Sequence, residues 1–152
     1  MVTMFPPLRA LGLVLALFGC STTTIDPPSD LLAVAGTYPT VVALVPGQNT
    51  CTGVTVENNP TVVEHTAGSG TVALTHAGTR YDGQIANTGQ FSAGPKTLLI
   101  SGTTYVISMT GQFAIRGLTA DITVQATPAA GPACSYKVSW VGTKQGDDNV
   151  IP

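Results

Sequence analysis

Apolar and polar side chains alternate along most of this chain. Past its N-terminal stretch, apolar residues do not recur at the three- and four-residue spacing of a helix. The clearest run is Val62-Val63-Glu64-His65-Thr66, then Ala67-Gly68-Ser69-Gly70, then Thr71-Val72-Ala73-Leu74-Thr75-His76. Folding it about residues 67–70 pairs Val63 with Leu74 and His65 with Val72. One face then carries Val63, His65, Val72, Leu74 and His76, and the other carries Val62, Glu64, Thr66, Thr71, Ala73 and Thr75. A second turn at Ala77-Gly78 pairs Leu74 with Tyr81 and Val72 with Gly83. It sends Tyr81, Gly83 and Ile85 to the apolar face and Arg80, Asp82 and Gln84 to the outer one. Two successive hairpins agree on which face is inside, whereas a one-residue slip would reverse every side chain. Asn87-Thr88-Gly89 reads as a three-residue loop with its glycine in the left-handed region, bringing Phe91 beside Ile85.

A weak repeat follows. Gly78-Thr79-Arg80-Tyr81 precedes Thr88-Gly89-Gln90-Phe91, and Gly102-Thr103-Thr104-Tyr105 precedes Thr110-Gly111-Gln112-Phe113. A turn-tyrosine-strand unit used twice explains it. The second copy is shorter between its halves, which predicts a bulge at Gly111 in place of a turn. Arg116-Gly117 then makes the next turn, pairing Ile115 with Leu118 and Phe113 with Ala120, and Leu118, Ala120, Ile122 and Val124 line the interior. Cys134, Tyr136, Val138 and Trp140 alternate on the last strand, while Thr40–Val45 and Thr50–Val56 supply strands in the N-terminal half. The pattern predicts an all-β fold. About eight strands form an antiparallel meander closed into a small barrel, with a two-sheet sandwich as the alternative.

The first residues break the alternation. Arg9 precedes a short apolar run, Ala10 to Phe18, then Gly19-Cys20. That is the layout of a secretion signal, and the run is far shorter than the ~20 residues a membrane span needs. Leu17-Phe18-Gly19-Cys20 resembles the lipobox of bacterial lipoproteins. The resemblance implies cleavage before Cys20, a diacylglycerol thioether on its sulfur and further acylation of the new amine, a combination that anchors lastingly. Ser21 after the cysteine goes, in that family, with the outer membrane, facing the periplasm or the cell surface. The polar stretch from Ser21 to Asp30, with Pro27-Pro28, reads as a tether. The layout is therefore a signal peptide over 1–19, the lipidated cysteine and tether over 20–35, a barrel domain over 36–146 and a tail over 147–152. The whole resembles small β-rich lipoproteins of bacteria, which implies no particular activity.

The chain has 152 residues with six Lys+Arg and eight Asp+Glu, so it holds one mature domain and no basic patch for nucleic acid. Hydrophobic residues make up 43% and charged ones 9%, the opposite of the balance that disorder requires. With Cys20 set aside, Cys51 and Cys134 remain, and an exported pair becomes a disulfide in an oxidising compartment.

Candidate chemistry is sparse. His65 and His76 share a face but are not cross-strand partners, and a zinc site needs three or four converging ligands. Asp82 and Asp121 fall on outward positions, and Asp147-Asp148 lies in the polar tail. A serine or cysteine nucleophile needs a base and an orienting acid, and no G-x-S-x-G elbow is present. No catalytic residue, metal or cofactor is therefore expected. Ser101-Gly102-Thr103-Thr104-Tyr105 and Gly142-Thr143-Lys144-Gln145-Gly146 resemble two motifs of bacterial C-type lysozyme-inhibitor lipoproteins. That resemblance implies a partner-binding role for Ser101, Tyr105 and Lys144. The expected function is a non-enzymatic binding or structural module of the cell envelope, held to the membrane through Cys20. A carrier of a small apolar ligand and a periplasmic lysozyme inhibitor are the alternatives. The loop 142–149 and the hairpin tip 67–70 are further candidate contacts with an envelope protein.

Overall fold

A computed structural model describes residues 31–152. The expected signal peptide over 1–19, the expected lipidation site Cys20 and the stretch to Asp30 lie outside the described residues. Eight strands follow in order: β1 (Gly36–Asn49), β2 (Pro60–Glu64), β3 (Thr71–His76), β4 (Thr79–Ile85), β5 (Gln90–Ile100), β6 (Thr103–Ala114), β7 (Gly117–Pro128) and β8 (Cys134–Thr143). Each pairs antiparallel with the next, and β8 returns to β1, so the meander closes into a barrel. The sandwich alternative is excluded by that closure.

The central hairpins follow the alternation. Val63 pairs with Leu74, Leu74 with Tyr81, Val72 with Gly83 and Ile85 with Phe91. Val72, Leu74, Tyr81 and Ile85 are buried, while Arg80, Asp82 and Gln84 are exposed. Ala73 faces outward as expected yet is only 6% exposed. Its cross-strand neighbours are Glu64 and Asp82, and Arg80 bridges both carboxylates at 2.6 and 2.9 Å. The ion-paired side chains roof over the small alanine.

The repeated Gly-Thr-x-Tyr is turn chemistry. Ala77-Gly78 and Ser101-Gly102 are two-residue hairpin turns with positive φ at both positions, 46° and 76° in the first and 50° and 79° in the second. Three residues after each glycine a tyrosine points inward. The other halves of the repeat lie side by side, with Gln90 opposite Gln112 and Phe91 opposite Gly111. A Cβ on Gly111 would sit 2.5 Å from Cζ of Phe91, so the glycine makes room for that ring. The two phenylalanines meet at 5.0 Å between ring centroids.

Three expectations are corrected. Thr50–Val56 is not a strand. Thr50 still bonds to Ser135, and then the chain leaves the sheet at Cys51, whose disulfide to Cys134 draws residues 51–59 away as a loop. Gly111 carries no bulge, and β6–β7 pair without interruption. The irregularity lies in β5 between Ala93 and Lys96, where Pro95 has no amide to give to the ladder. Finally, the β6–β7 turn is Ile115-Arg116, so Phe113 pairs with Leu118, two residues from the expected register. The shift is even, so inward residues stay inward, but Ile115 is 59% exposed. The C-terminal segment fixes that turn. Lys144 N–H donates to the Arg116 carbonyl, Asn149 N–H to that of Ile115, and the Asn149 side-chain amide to that of Ala114.

Candidate functional site

The barrel has two dissimilar ends. At one lie the starts of β1, β3, β5 and β7 and the segments 31–35 and 144–152, which close it. At the other lie the turns 77–78 and 101–102, the loop 50–59 and the start of β8.

The closed end is a latch. Leu32 and Val34 are buried, and Ala33 forms a two-hydrogen-bond bridge with Val150, each bond 3.0 Å. Residues 31–35, expected in the tether, thus belong to the packed domain, as does Asn149 of the expected tail. The Tyr38 hydroxyl lies 2.7 Å from both the Val34 carbonyl and Asn149 Oδ1 and shares its one proton between them. Lys144 Nζ donates to the same Oδ1 at 2.7 Å and to the Ala35 carbonyl at 2.6 Å, and stands 5.3 Å from the centre of the Tyr38 ring. Gly36 permits this, because a Cβ there would come 2.8 Å from Lys144 Cε. Burial pushes the Tyr38 hydroxyl up to about 12, against a smaller opposing effect of the Asn149 hydrogen bond. Burial lowers the Lys144 ammonium, and Asp147 and Asp148 act the other way.

The interior behind the latch is filled. Tyr38, Phe91, Phe113, Leu118 and Trp140 are all buried, and Tyr38 stands 5.8 Å from Phe113. Further along, His76 stacks at 4.2 Å on Trp140. Its Nδ1 lies 3.0 Å from the Thr61 hydroxyl, which lies 2.8 Å from that of Thr40, which donates to the Tyr38 carbonyl. Burial lowers the His76 imidazole below its ordinary range. This internal polar chain had no signal in the sequence beyond alternation, which put polar residues at inward positions.

The open end is a mouth. A cavity of about 350 Å³ is lined by the loop residues Cys51 to Thr55, by Thr103 and Tyr105 of β6, by Ala126 and Pro128 of β7, and by Cys134 and Tyr136 of β8. Tyr105, Tyr136 and Leu44 are half-buried here and pack on the core. Burial raises the Tyr136 hydroxyl, and the neighbouring Tyr105 phenol adds to the effect. Burial also raises Tyr81, with a Thr79 hydrogen bond opposing and Tyr136 adding. Tyr105 and Tyr136 thus share one rim, while Tyr81 is buried in the core. The Cys51–Cys134 bond, with Cα atoms 5.1 Å apart, ties the loop to β8 across 83 residues of sequence.

The residues singled out in the sequence are separated by this geometry. Ser101 is exposed in the turn beside the mouth and Tyr105 lines it, but Lys144 sits at the latch, engaged by Asn149 and Ala35. Ser101, Tyr105 and Lys144 therefore do not form one surface. His65 is likewise remote from His76, because it follows β2 at the closed end, where Nε2 donates to the Ser69 carbonyl. Among the described residues no three of His, Cys, Asp and Glu gather closely enough to hold a metal. The loop 50–59 over the mouth escaped the sequence reading, because its Val and Thr content resembles a strand. Comparison with protein-family models, with curated proteins and with solved structures gives no match.

Proposed function

We propose that the protein is a lipid-anchored, non-enzymatic binding module of the bacterial cell envelope. The lipobox-like Leu17-Phe18-Gly19-Cys20 motif motivates the anchor. The observation that carries the reading is the opposition of the two ends. The described chain enters at residues 31–35, on the latch, while the cavity under Cys51–Thr55 opens at the other end. A tether from Cys20 therefore approaches the closed end and leaves the mouth turned away from the membrane. A binding module anchored in a bilayer needs that arrangement. A disulfide-tied loop over the mouth also gives it a rim held in place before binding, which lowers the ordering cost of association.

Mass spectrometry of the protein from a bacterial host should find acyl mass on Cys20 as the mature N-terminus, and Cys20→Ala should move the protein from the membrane fraction to the soluble one. A wild-type protein with an unmodified Cys20 in the soluble fraction refutes the anchor.

A further inference from the structure

We propose that the mouth is a binding site for a neutral saccharide, one or two rings long. The inference rests on reading the barrel as a binding module, and three features of the cavity select the ligand class.

The first is the pairing of aromatic and hydroxyl groups. Tyr105 and Tyr136 stand half-buried on the inner wall, and Thr52, Thr55 and Thr103 border the same space. A pyranose has an apolar C–H face and a rim of hydroxyls. The face matches a tyrosine ring, and the rim matches threonine hydroxyls that both donate and accept. The second is charge. None of the residues lining this cavity is ionic, whereas a larger hollow on the outer sheet is bordered by Glu64, Arg80 and Asp82. An anionic or cationic ligand would surrender its hydration at the mouth without meeting a counter-charge. An aliphatic chain would strip water from the threonines and give no hydrogen bond back. The third is size and rigidity. About 350 Å³ is at the low end for small-molecule sites. One wall of the space is the loop tied down by Cys51–Cys134, and the other is continuous sheet. Small neutral ligands bind weakly, so a preformed wall is worth more to them than extra contacts.

The test uses the full mature lipoprotein in a non-glycosidic detergent, titrated by calorimetry with cellobiose, maltose and N,N′-diacetylchitobiose, and with decanol and decanoate as apolar and anionic comparators, each after subtraction of the heat given by detergent alone. At least one disaccharide should bind, and Tyr105→Ala and Tyr136→Ala should each weaken it by about tenfold, the order of loss for one stacked ring. Trp140 fluorescence reports whether each variant is folded. Should either tyrosine variant unfold, Thr55→Val, on the exposed loop, replaces it: it takes a hydroxyl from the rim at nearly constant volume and should weaken saccharide binding several-fold. No heat with any of the three disaccharides, binding unchanged in the variants, or a preference for decanol or decanoate overturns the inference. These outcomes leave the anchor untouched, since membrane release by Cys20→Ala is read separately.

Discussion

The hydroxyl of Tyr38 lies 2.7 Å from the side-chain oxygen of Asn149, although 111 positions separate them in the chain. One residue opens the first strand and the other stands near the C-terminus, and together they close one end of the barrel. Asn149 is 5% exposed and uses its whole amide, taking Tyr38 and Lys144 on the oxygen and giving to Ala114 from the nitrogen. Asn149→Ala should lower stability by about 2–3 kcal/mol, because buried partners lose their bonds together. Urea unfolding followed by Trp140 fluorescence would measure it. A change within experimental scatter would mean that the latch holds nothing.

The same tyrosine sets an alkaline limit. Its hydroxyl is raised from the ordinary 10.0 to about 12 by burial, and burial raises Tyr81 and Tyr136 as well. A raised value means that the native state keeps its proton while the unfolded chain gives it up. The stabilisation is complete below pH 10 and is lost as pH climbs from there to about 12, by roughly 3 kcal/mol for Tyr38 alone. Tyr38→Phe should be less stable at neutral pH yet lose less on going to high pH. Thermal melts at pH 9 to 11.5 would reveal the difference in slope, and parallel slopes would speak against it.

At the acid side the controlling group is His76. Its imidazole is lowered by burial, so the unfolded chain takes up a proton before the native state does. Stability is present above the ordinary value of 6.5 and falls as pH drops below it toward the native value, at no more than about 1.4 kcal/mol per pH unit for one proton. His76→Phe keeps a ring against Trp140, and Thr61 keeps its bond to Thr40. That variant should flatten the profile between pH 6.5 and 5. A profile as steep as the native one would assign the effect to another group.

The two faces of β4 should respond oppositely to charge. Ile85 is 6% exposed, so Ile85→Asp places an unpaired carboxylate in an apolar interior and should leave the domain unfolded by circular dichroism. Asp82 is exposed and paired only with Arg80 at the surface, so Asp82→Asn should be nearly silent. An unfolded Asp82→Asn or a folded Ile85→Asp would contradict the register.

What the sequence made legible was local. β3, β4 and the start of β5 follow from alternation joined by short turns, because Ala77-Gly78 and Asn87-Thr88-Gly89 determine register within a few residues. Ser101-Gly102 carries the same information, as the turn of the second turn-tyrosine-strand unit. The latch was illegible because its bonds are long-range. Nothing in Gly146-Asp147-Asp148-Asn149 distinguishes a solvated tail from a segment whose asparagine is buried 111 positions from its partner. The register of β6 on β7 failed for that reason too, since carbonyls in the turn are taken by Lys144 and Asn149. At the mouth, Tyr105 was singled out by motif and Tyr136 only by alternation. They flank β7, Tyr105 opposite Ala126 and Tyr136 opposite Val124, so their meeting depends on two registers at once, one of which the C-terminal segment sets.

The Ala33–Val150 bridge also has a mechanical meaning. A pull on the N-terminal side of the domain reaches these two hydrogen bonds first, then Tyr38, and only then the strand behind them. β1 is bonded to β2 over Gly36–Pro39 and then to β8 over Thr40–Leu44 and at Asn49, so force along its axis loads these two successive ladders in shear, several bonds at once. A strand peeled from a free edge would instead yield one bond at a time. Closure of the meander therefore spares this domain its weakest failure mode under load, and the bridge at its entrance is the element that gives way before the barrel does.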